Sequence, residues 1–213
     1  MSTKKLFWTD PYMTQTQATV TAVCQNKITL DKTVAYAMSG GQDSDSGTIG
    51  GYEILTAENQ SYEIIYTISP EHDLSVGDDV LVKINWEKRY RLMRLHFAAE
   101  LVLELVYQNY DHPNKIGANI TKDKARVDFE WQGNISDIFP FLQEKLAELI
   151  QGNCDIVSDF VDEETQIRFW EIKGFAKVLC GGTHLKRTGE IGELQLKRKN
   201  IGGGKERIEI TLV

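Results

Sequence analysis

Before residue 88, apolar residues recur in short β-rich runs separated by turn residues. Residues 16–23 and 27–30 flank Gln25-Asn26 and read as a hairpin. Residues 49–55 and 62–68 flank Glu58-Asn59-Gln60 and read as a second one. Residues 80–84 form a further strand, entered through the turn at 76–79. Many short strands at this spacing predict a small barrel. From residue 88 the pattern changes. Residues 88–108 combine helical length with strong helix formers and contain neither Gly nor Pro. Their apolar side chains lie almost all round, which marks a buried helix. Residues 136–151 predict a second helix, with Ser136 as N-cap, Pro140 near the first turn and Gly152 beyond the end. Its core stripe is Leu142, Leu146, Leu149 and Ile150. Residues 126–131, 166–172 and 207–212 read as strands. The expected fold class is α+β: a small N-terminal β-barrel over residues 1–87, then an α+β sandwich over 88–213 with helices packed on an antiparallel sheet.

Composition narrows the class without naming a chemistry. The chain has 213 residues, 41% hydrophobic and 26% charged, the ordinary balance of a globular protein. At that length a hydrophobic core needs no disulfide or metal staple. The most apolar segment, residues 92–107, is interrupted by Arg94, His96, Glu100 and Glu104, well short of the ~18 uninterrupted apolar residues of a membrane span. Residues 1–10 carry no apolar stretch, so no secretory signal is expected there. Three cysteines, Cys24, Cys154 and Cys180, are too few for a disulfide scaffold, and an odd count fits a reducing, cytoplasmic setting. Collagenous, disordered, membrane-spanning and disulfide-rich classes are thereby excluded.

The net charge is −7, but it is unevenly spread. Between residues 83 and 96, Lys83, Lys88, Arg89, Arg91 and Arg94 face only Glu87. Between 184 and 207, Lys186, Arg187, Lys197, Arg198, Lys199, Lys205 and Arg207 outnumber Glu190, Glu193 and Glu206. Acids dominate residues 137–171. A polyanionic partner follows the local patch rather than the total charge. Solvated faces would account for either basic run taken alone; both, however, adjoin the candidate ligands.

Those ligands come as two pairs. His96 and Glu100 lie four apart on the first predicted helix, so both leave one face about a turn apart. Glu104 and Gln108 continue the stripe, which could also be the helix's wet face. Cys180 and His184 bracket Gly181-Gly182-Thr183. Two glycines permit a tight loop that turns thiolate and imidazole toward one point. Packing alone does not call for glycine beside a buried cysteine. One sulfur, two imidazoles and a carboxylate suit zinc, and the sulfur argues against Mg or Ca. A Gly-rich segment, residues 39–47, offers Gly40 and Gly41 for close backbone approach to a ligand, with Gln42 and Asp45 as polar side chains. It is neither a Walker loop nor a dinucleotide fingerprint, and a flexible hairpin loop would look similar.

These residues together resemble a known family. The chain is similar to the free-standing alanyl-tRNA editing proteins, the AlaX group, and to the editing domain shared by alanyl- and threonyl-tRNA synthetases. The resemblance runs nearly full length. It is carried by Asp10-Pro11-Tyr12, by Ser39-Gly40-Gly41-Gln42 with Asp45 and Gly47, and by the segment from Trp86 to His96. Most specific are Cys180-Gly181-Gly182-Thr183-His184 with Thr188-Gly189-Glu190-Ile191-Gly192; Asn200 to Ile208 is similar to the family's end. The resemblance implies a zinc-dependent esterase that removes serine, and often glycine, from mischarged alanine tRNA. It implies one Zn2+ held by His96, Cys180 and His184, with Glu100 standing where the family has a second helix histidine. It implies a substrate side formed by Gly40, Gly41, Gln42 and Thr183, with Gln42 and Asp45 in catalytic roles. Phosphates of tRNA would meet Lys88, Arg89, Arg91, Arg94, Lys186, Arg187, Lys197, Arg198 and Lys199.

Glu100 leaves three readings open. It ligates the ion, it serves as general base, or it marks a relative that binds tRNA or metal without cleaving. A metal hydrolase of small esters or amides is a further class. Charged-tRNA turnover, binding without turnover, and small-ester turnover distinguish the three functions.

Overall fold

The computed structural model describes residues 2–213. The chain is α+β, with mostly antiparallel sheets and few helices. It divides into two compact units: residues 2–39 with Asp43–Tyr90, and Gly40–Gln42 with Arg91–Val213.

The first unit holds β1 (Lys4–Lys5), α1 (Leu6–Thr9), β2 (Gln15–Cys24), β3 (Lys27–Leu30), β4 (Lys32–Thr33), β5 (Gly47–Ile49), β6 (Tyr52–Gln60), β7 (Glu63–Ile68) and β8 (Asp79–Ile84). β1 and β4 pair in parallel. The other six pair antiparallel in a ring, β2-β3-β7-β6-β5-β8, which closes on itself as a barrel. Period-two alternation drives this closure: β7 and β8 bury every second residue. Ile28, Leu30, Ile49, Ile64, Tyr66, Ile68, Val80, Val82 and Ile84 thereby fill the interior. The second hairpin differs from its sequence reading. Residues 49–55 are not one strand, because Gly50 and Gly51 at φ 59 and 89 turn the chain between β5 and β6. The next turn falls at Ser61 (φ 54), not at 58–60.

Residues 34–37 are also buried. They are tied down by a charge pair. Tyr36 N–H donates to Asp45 Oδ2 at 2.7 Å, and Asp45 N–H donates to the Tyr36 carbonyl at 3.0 Å. Arg89 Nε donates to Asp45 Oδ1 at 2.9 Å, Nη2 to the Val34 carbonyl at 2.7 Å and Nη1 to the Pro11 carbonyl at 2.9 Å. Arg89 Nη2 also pairs with Asp45 Oδ2. Arg89 is 0% exposed, so both charges are fully compensated, as burial requires.

The second unit contains most of α2 (Trp86–Asn109), then β9 (Lys115–Ile120), β10 (Ala125–Glu130), α3 (Phe139–Gln151), β11 (Val157–Asp162), β12 (Ile167–Ile172), β13 (Ala176–Leu179), β14 (Leu194–Gly202) and β15 (Lys205–Leu212). Asn85 starts α2, its Oδ1 accepting the Lys88 N–H at 3.0 Å. Leu92, Leu95, Leu101, Val102 and Val106 are wholly buried. A four-stranded sheet runs β14-β15-β10-β9 and a three-stranded one β11-β12-β13, all antiparallel. Sequence periodicity missed β9, β11, β13 and β14. β14 carries Lys197, Arg198, Lys199 and Asn200, and its polar run hides the alternation. Ser136 is not the cap of α3. A 3-10 turn, Ile135–Ile138, precedes that helix, and Asn134 Oδ1 accepts from both Ser136 N–H and Ser136 Oγ.

The compact units divide at Tyr90/Arg91, with Gly40–Gln42 in the second. The Gly41 carbonyl accepts the Ile120 N–H at 2.7 Å, and Asn119 Nδ2 donates to it at 3.3 Å. Gly41 sits at φ 87, and a Cβ there would lie 2.7 Å from the Ala118 carbonyl oxygen. Only glycine lets this segment reach β9.

Candidate metal centre

Two elements of the second unit supply the centre. Helical spacing places His96 above Glu100 on α2, with Nε2 3.3 Å from Oε1. β13 delivers Cys180, whose N–H donates to the Arg168 carbonyl of β12 at 2.9 Å. The Cys180 loop therefore follows β13 directly. Gly181 and Gly182 then bring the chain round, so that His184 Nε2 lies 3.3 Å from Cys180 Sγ. Cys180 Sγ also lies 3.5 Å from His96 Nε2 and 3.7 Å from Glu100 Oε1. The ligand atoms of His96, Cys180 and His184 all fall within 4.8 Å of one another. Glu100 approaches two of the three. Gly182 is required by close approach: a Cβ there would meet His96 Cε1 at 1.9 Å.

Neighbouring groups fix two of the donors, His184 and Glu100. Ser158 Oγ, on β11, lies 2.9 Å from His184 Nδ1, which leaves Nε2 for the cluster. Trp170 Nε1, on β12, donates to Glu100 Oε2 at 3.1 Å. Phe97 sets its edge against both Trp170 and His184. His96 Nδ1 is buried with no hydrogen-bond partner.

The electrostatics are strongly coupled. Burial disfavours a charged His96, but the sulfur of Cys180 and the carboxylate of Glu100 outweigh it and raise its pKa to about 10. Burial likewise disfavours a charged Glu100, yet His96 and the Trp170 N–H outweigh it and lower its pKa to about 2. His184 is held well below its ordinary value, by burial first and by His96 next. His184 is therefore a neutral imidazole, the form that ligates metals.

Gln42 and Thr183 meet beside this loop. Gln42 Nε2 donates to Thr183 Oγ1 at 2.9 Å, and Thr183 N–H donates to Gln42 Oε1 at 3.3 Å. Each is 1% exposed. Gly40 and Gly41 shape the segment that carries Gln42.

Two expected roles are corrected. Asp45, anticipated as catalytic, has its carboxylate occupied by Arg89 and the Tyr36 N–H, and acts as a structural anion. Arg89, anticipated at tRNA, has no exposed surface with which to meet a phosphate. Lys88 is half-buried, as are Arg91 and Arg94. Arg91 Nε donates to the Lys122 carbonyl at 3.0 Å and Arg94 Nε to the Ile191 carbonyl at 2.8 Å. Lys186, Arg187, Lys197, Arg198 and Lys199 are exposed. Arg187 pairs with Asp155 at 3.0 Å and Arg198 with Glu206 at 2.6 Å. The second basic run is thus partly neutralised across strands. Ser158 and Trp170 were invisible to spacing arguments. Only the rule that a buried indole N–H needs an acceptor hinted at the second.

Residues 167–209 match the family described as threonyl and alanyl tRNA synthetase second additional domain. The chain is 32% identical over 222 residues to the alanyl-tRNA editing protein AlaX-M of Pyrococcus horikoshii, covering 99% of this chain and 98% of that protein. It is 30% identical to the protein of the same name from Methanosarcina mazei, covering 99% and 97%. Against the alanine–tRNA ligase of Methanococcus aeolicus it is 28% identical, covering 98% of this chain but 25% of the ligase.

Proposed function

Because the chain belongs to the free-standing alanyl-tRNA editing proteins, the AlaX group, we propose that it is an aminoacyl-tRNA deacylase that works in trans in the cytoplasm. It hydrolyses the ester joining serine or glycine to alanine tRNA, with one zinc ion as cofactor. The observation that carries this is the convergence of His96, Cys180 and His184 within 4.8 Å. A sulfur and two imidazoles are a donor set that zinc accepts, and the neutral His184 is already in the ligating form. Glu100 Oε1 stands beside His96 Nε2 and Cys180 Sγ as a fourth donor. When bound, zinc supplies Lewis acidity and makes water more acidic.

The chain's own residues do the rest. Thr183 Oγ1 accepts from Gln42, so the hydroxyl proton of Thr183 is left to donate toward substrate. A pair of this kind can recognise the serine hydroxyl and reject alanine, which lacks it. Gly182 leaves room for His96, and Ser158 keeps the His184 ring oriented. Exposed Lys186, Arg187, Lys197, Arg198 and Lys199 face the phosphates of tRNA, with Lys88, Arg91 and Arg94 as shorter-reach partners.

One observation favours a second reading. Thiolate and carboxylate together cancel the ion's formal charge, whereas three imidazoles and a thiolate leave one positive charge. A less positive ion is a weaker Lewis acid, so the chain could bind tRNA or metal without cleaving. Hydrolysis of serine- and glycine-charged alanine tRNA decides between them, using the native protein, Cys180→Ala and Glu100→His. Cleavage by the native protein, lost in Cys180→Ala, is the expected result. A silent native protein restored by Glu100→His would establish the binding-only reading.

A further inference from the structure

We propose that Trp170 is the positioning residue that makes this centre select a carboxylate at residue 100. The inference rests on the metal reading above and extends it to a residue outside the donor set. Trp170 lies on β12, is 0% exposed, and packs edge-on against Phe97 with ring centroids 5.1 Å apart. Its indole has one polar atom, and that atom can only donate. The acceptor it finds is Glu100 Oε2, at 3.1 Å. The other carboxylate oxygen, Oε1, is left facing His96 Nε2 at 3.3 Å and Cys180 Sγ at 3.7 Å.

A neutral histidine at residue 100 would not suit this neighbour. An imidazole that gives one nitrogen to a metal carries its proton on the other. That N–H would meet the Trp170 N–H, donor against donor, in a buried place. A carboxylate has acceptors on both sides, so it satisfies the indole and the centre together. Glu100 and Trp170 therefore form one unit, and the departure from histidine is matched by a buried donor 70 residues away in sequence.

A double-mutant cycle on the whole chain tests this. Zinc affinity is measured by chelator competition for the native protein, Trp170→Phe, Glu100→His and the double variant. Positioning partners of ligands typically govern affinity by about 10–100-fold. Trp170→Phe should weaken zinc binding by about that factor in the native background, and should leave it unchanged or tighten it once Glu100 is histidine, because the donor-against-donor contact is then removed and coupled residues are non-additive. Equal losses in both backgrounds would show that Trp170 merely fills space, and would overturn the inference. Since Trp170→Phe removes core volume, a second variant replaces Trp170 by benzothienylalanine, which keeps the ring shape and lacks the N–H. Weakened zinc binding is expected there too, and native affinity would overturn the inference. A native chain that takes up no zinc would sink the metal reading itself, and this inference with it.

Discussion

The centre depends on the absence of a single methyl group. Gly182 faces His96 so closely that a Cβ would lie 1.9 Å from Cε1, whereas a Cβ at Gly181 meets nothing within 4 Å. Gly182→Ala should therefore displace the His96 ring and lower zinc affinity at least about tenfold, consistent with a first ligand being moved. Gly181→Ala should bind zinc as the native protein does. Isothermal or chelator titration of both variants checks the contrast. Asp45 gives the opposite case, a motif residue whose work is structural. Asp45→Ala strands a buried guanidinium, which typically costs about 3–5 kcal/mol. Urea denaturation should show a loss of that size. Replacing Asp45 and Arg89 together by apolar residues should recover much of it, because no charge is then left unpaired.

Along α2, the i,i+4 pair of His96 and Glu100 makes the metal-free chain sensitive to pH with a definite sign. His96 is raised to about 10 from its ordinary 6.5, so its contribution is complete below 6.5 and lost as pH rises through about 10. Glu100 is lowered to about 2 from 4.5, so its contribution is complete above 4.5 and lost as pH falls through about 2. Thermal melts of zinc-free protein should therefore show this pair's greatest contribution between pH 4.5 and 6.5; Glu100→Gln should abolish the loss on the acid side, while the Cys180 sulfur still holds His96 up on the alkaline side. Zinc binding should run the other way and weaken as pH falls, since protons compete for the same donors. The sequence showed the helix and the spacing of this pair. It did not show that Asn85 begins α2 or that β13 intervenes before Cys180. The four residues of β13 carry no strong alternation, and strand pairing supplies what local propensity lacks.

For the whole molecule, tRNA is the partner that the family implies, against a net charge of −7. Cross-strand geometry changes the charge count. Arg207 Nε donates to Asp128 at 2.7 Å, Lys124 reaches Glu209 at 2.6 Å, and Arg198 is engaged by Glu206. A linear tally of lysines and arginines thus overstates the field offered to phosphates. Association with tRNA should still weaken steeply with salt. Lys197→Glu with Lys199→Glu should flatten that slope, whereas Arg89→Lys should leave the slope unchanged because Arg89 has no exposed surface. Filter binding at several salt concentrations reads both. Among the described residues, no helix is long and apolar enough to cross a membrane.

The sequence by itself determined the α+β class, the long buried helix, the pairing of His96 with Glu100 and of Cys180 with His184, and the family. Each of these is written in residue type and short spacing, where helical periodicity and glycine chemistry act locally. Tertiary structure alone decided that Gly40–Gln42 joins the second unit, that Asp45 and Arg89 neutralise one another, and that Ser158 and Trp170 orient two donors. Those facts rest on atoms brought together from 26 to 141 residues apart. A buried polar atom must find its partner in space, and sequence distance does not record where that partner is.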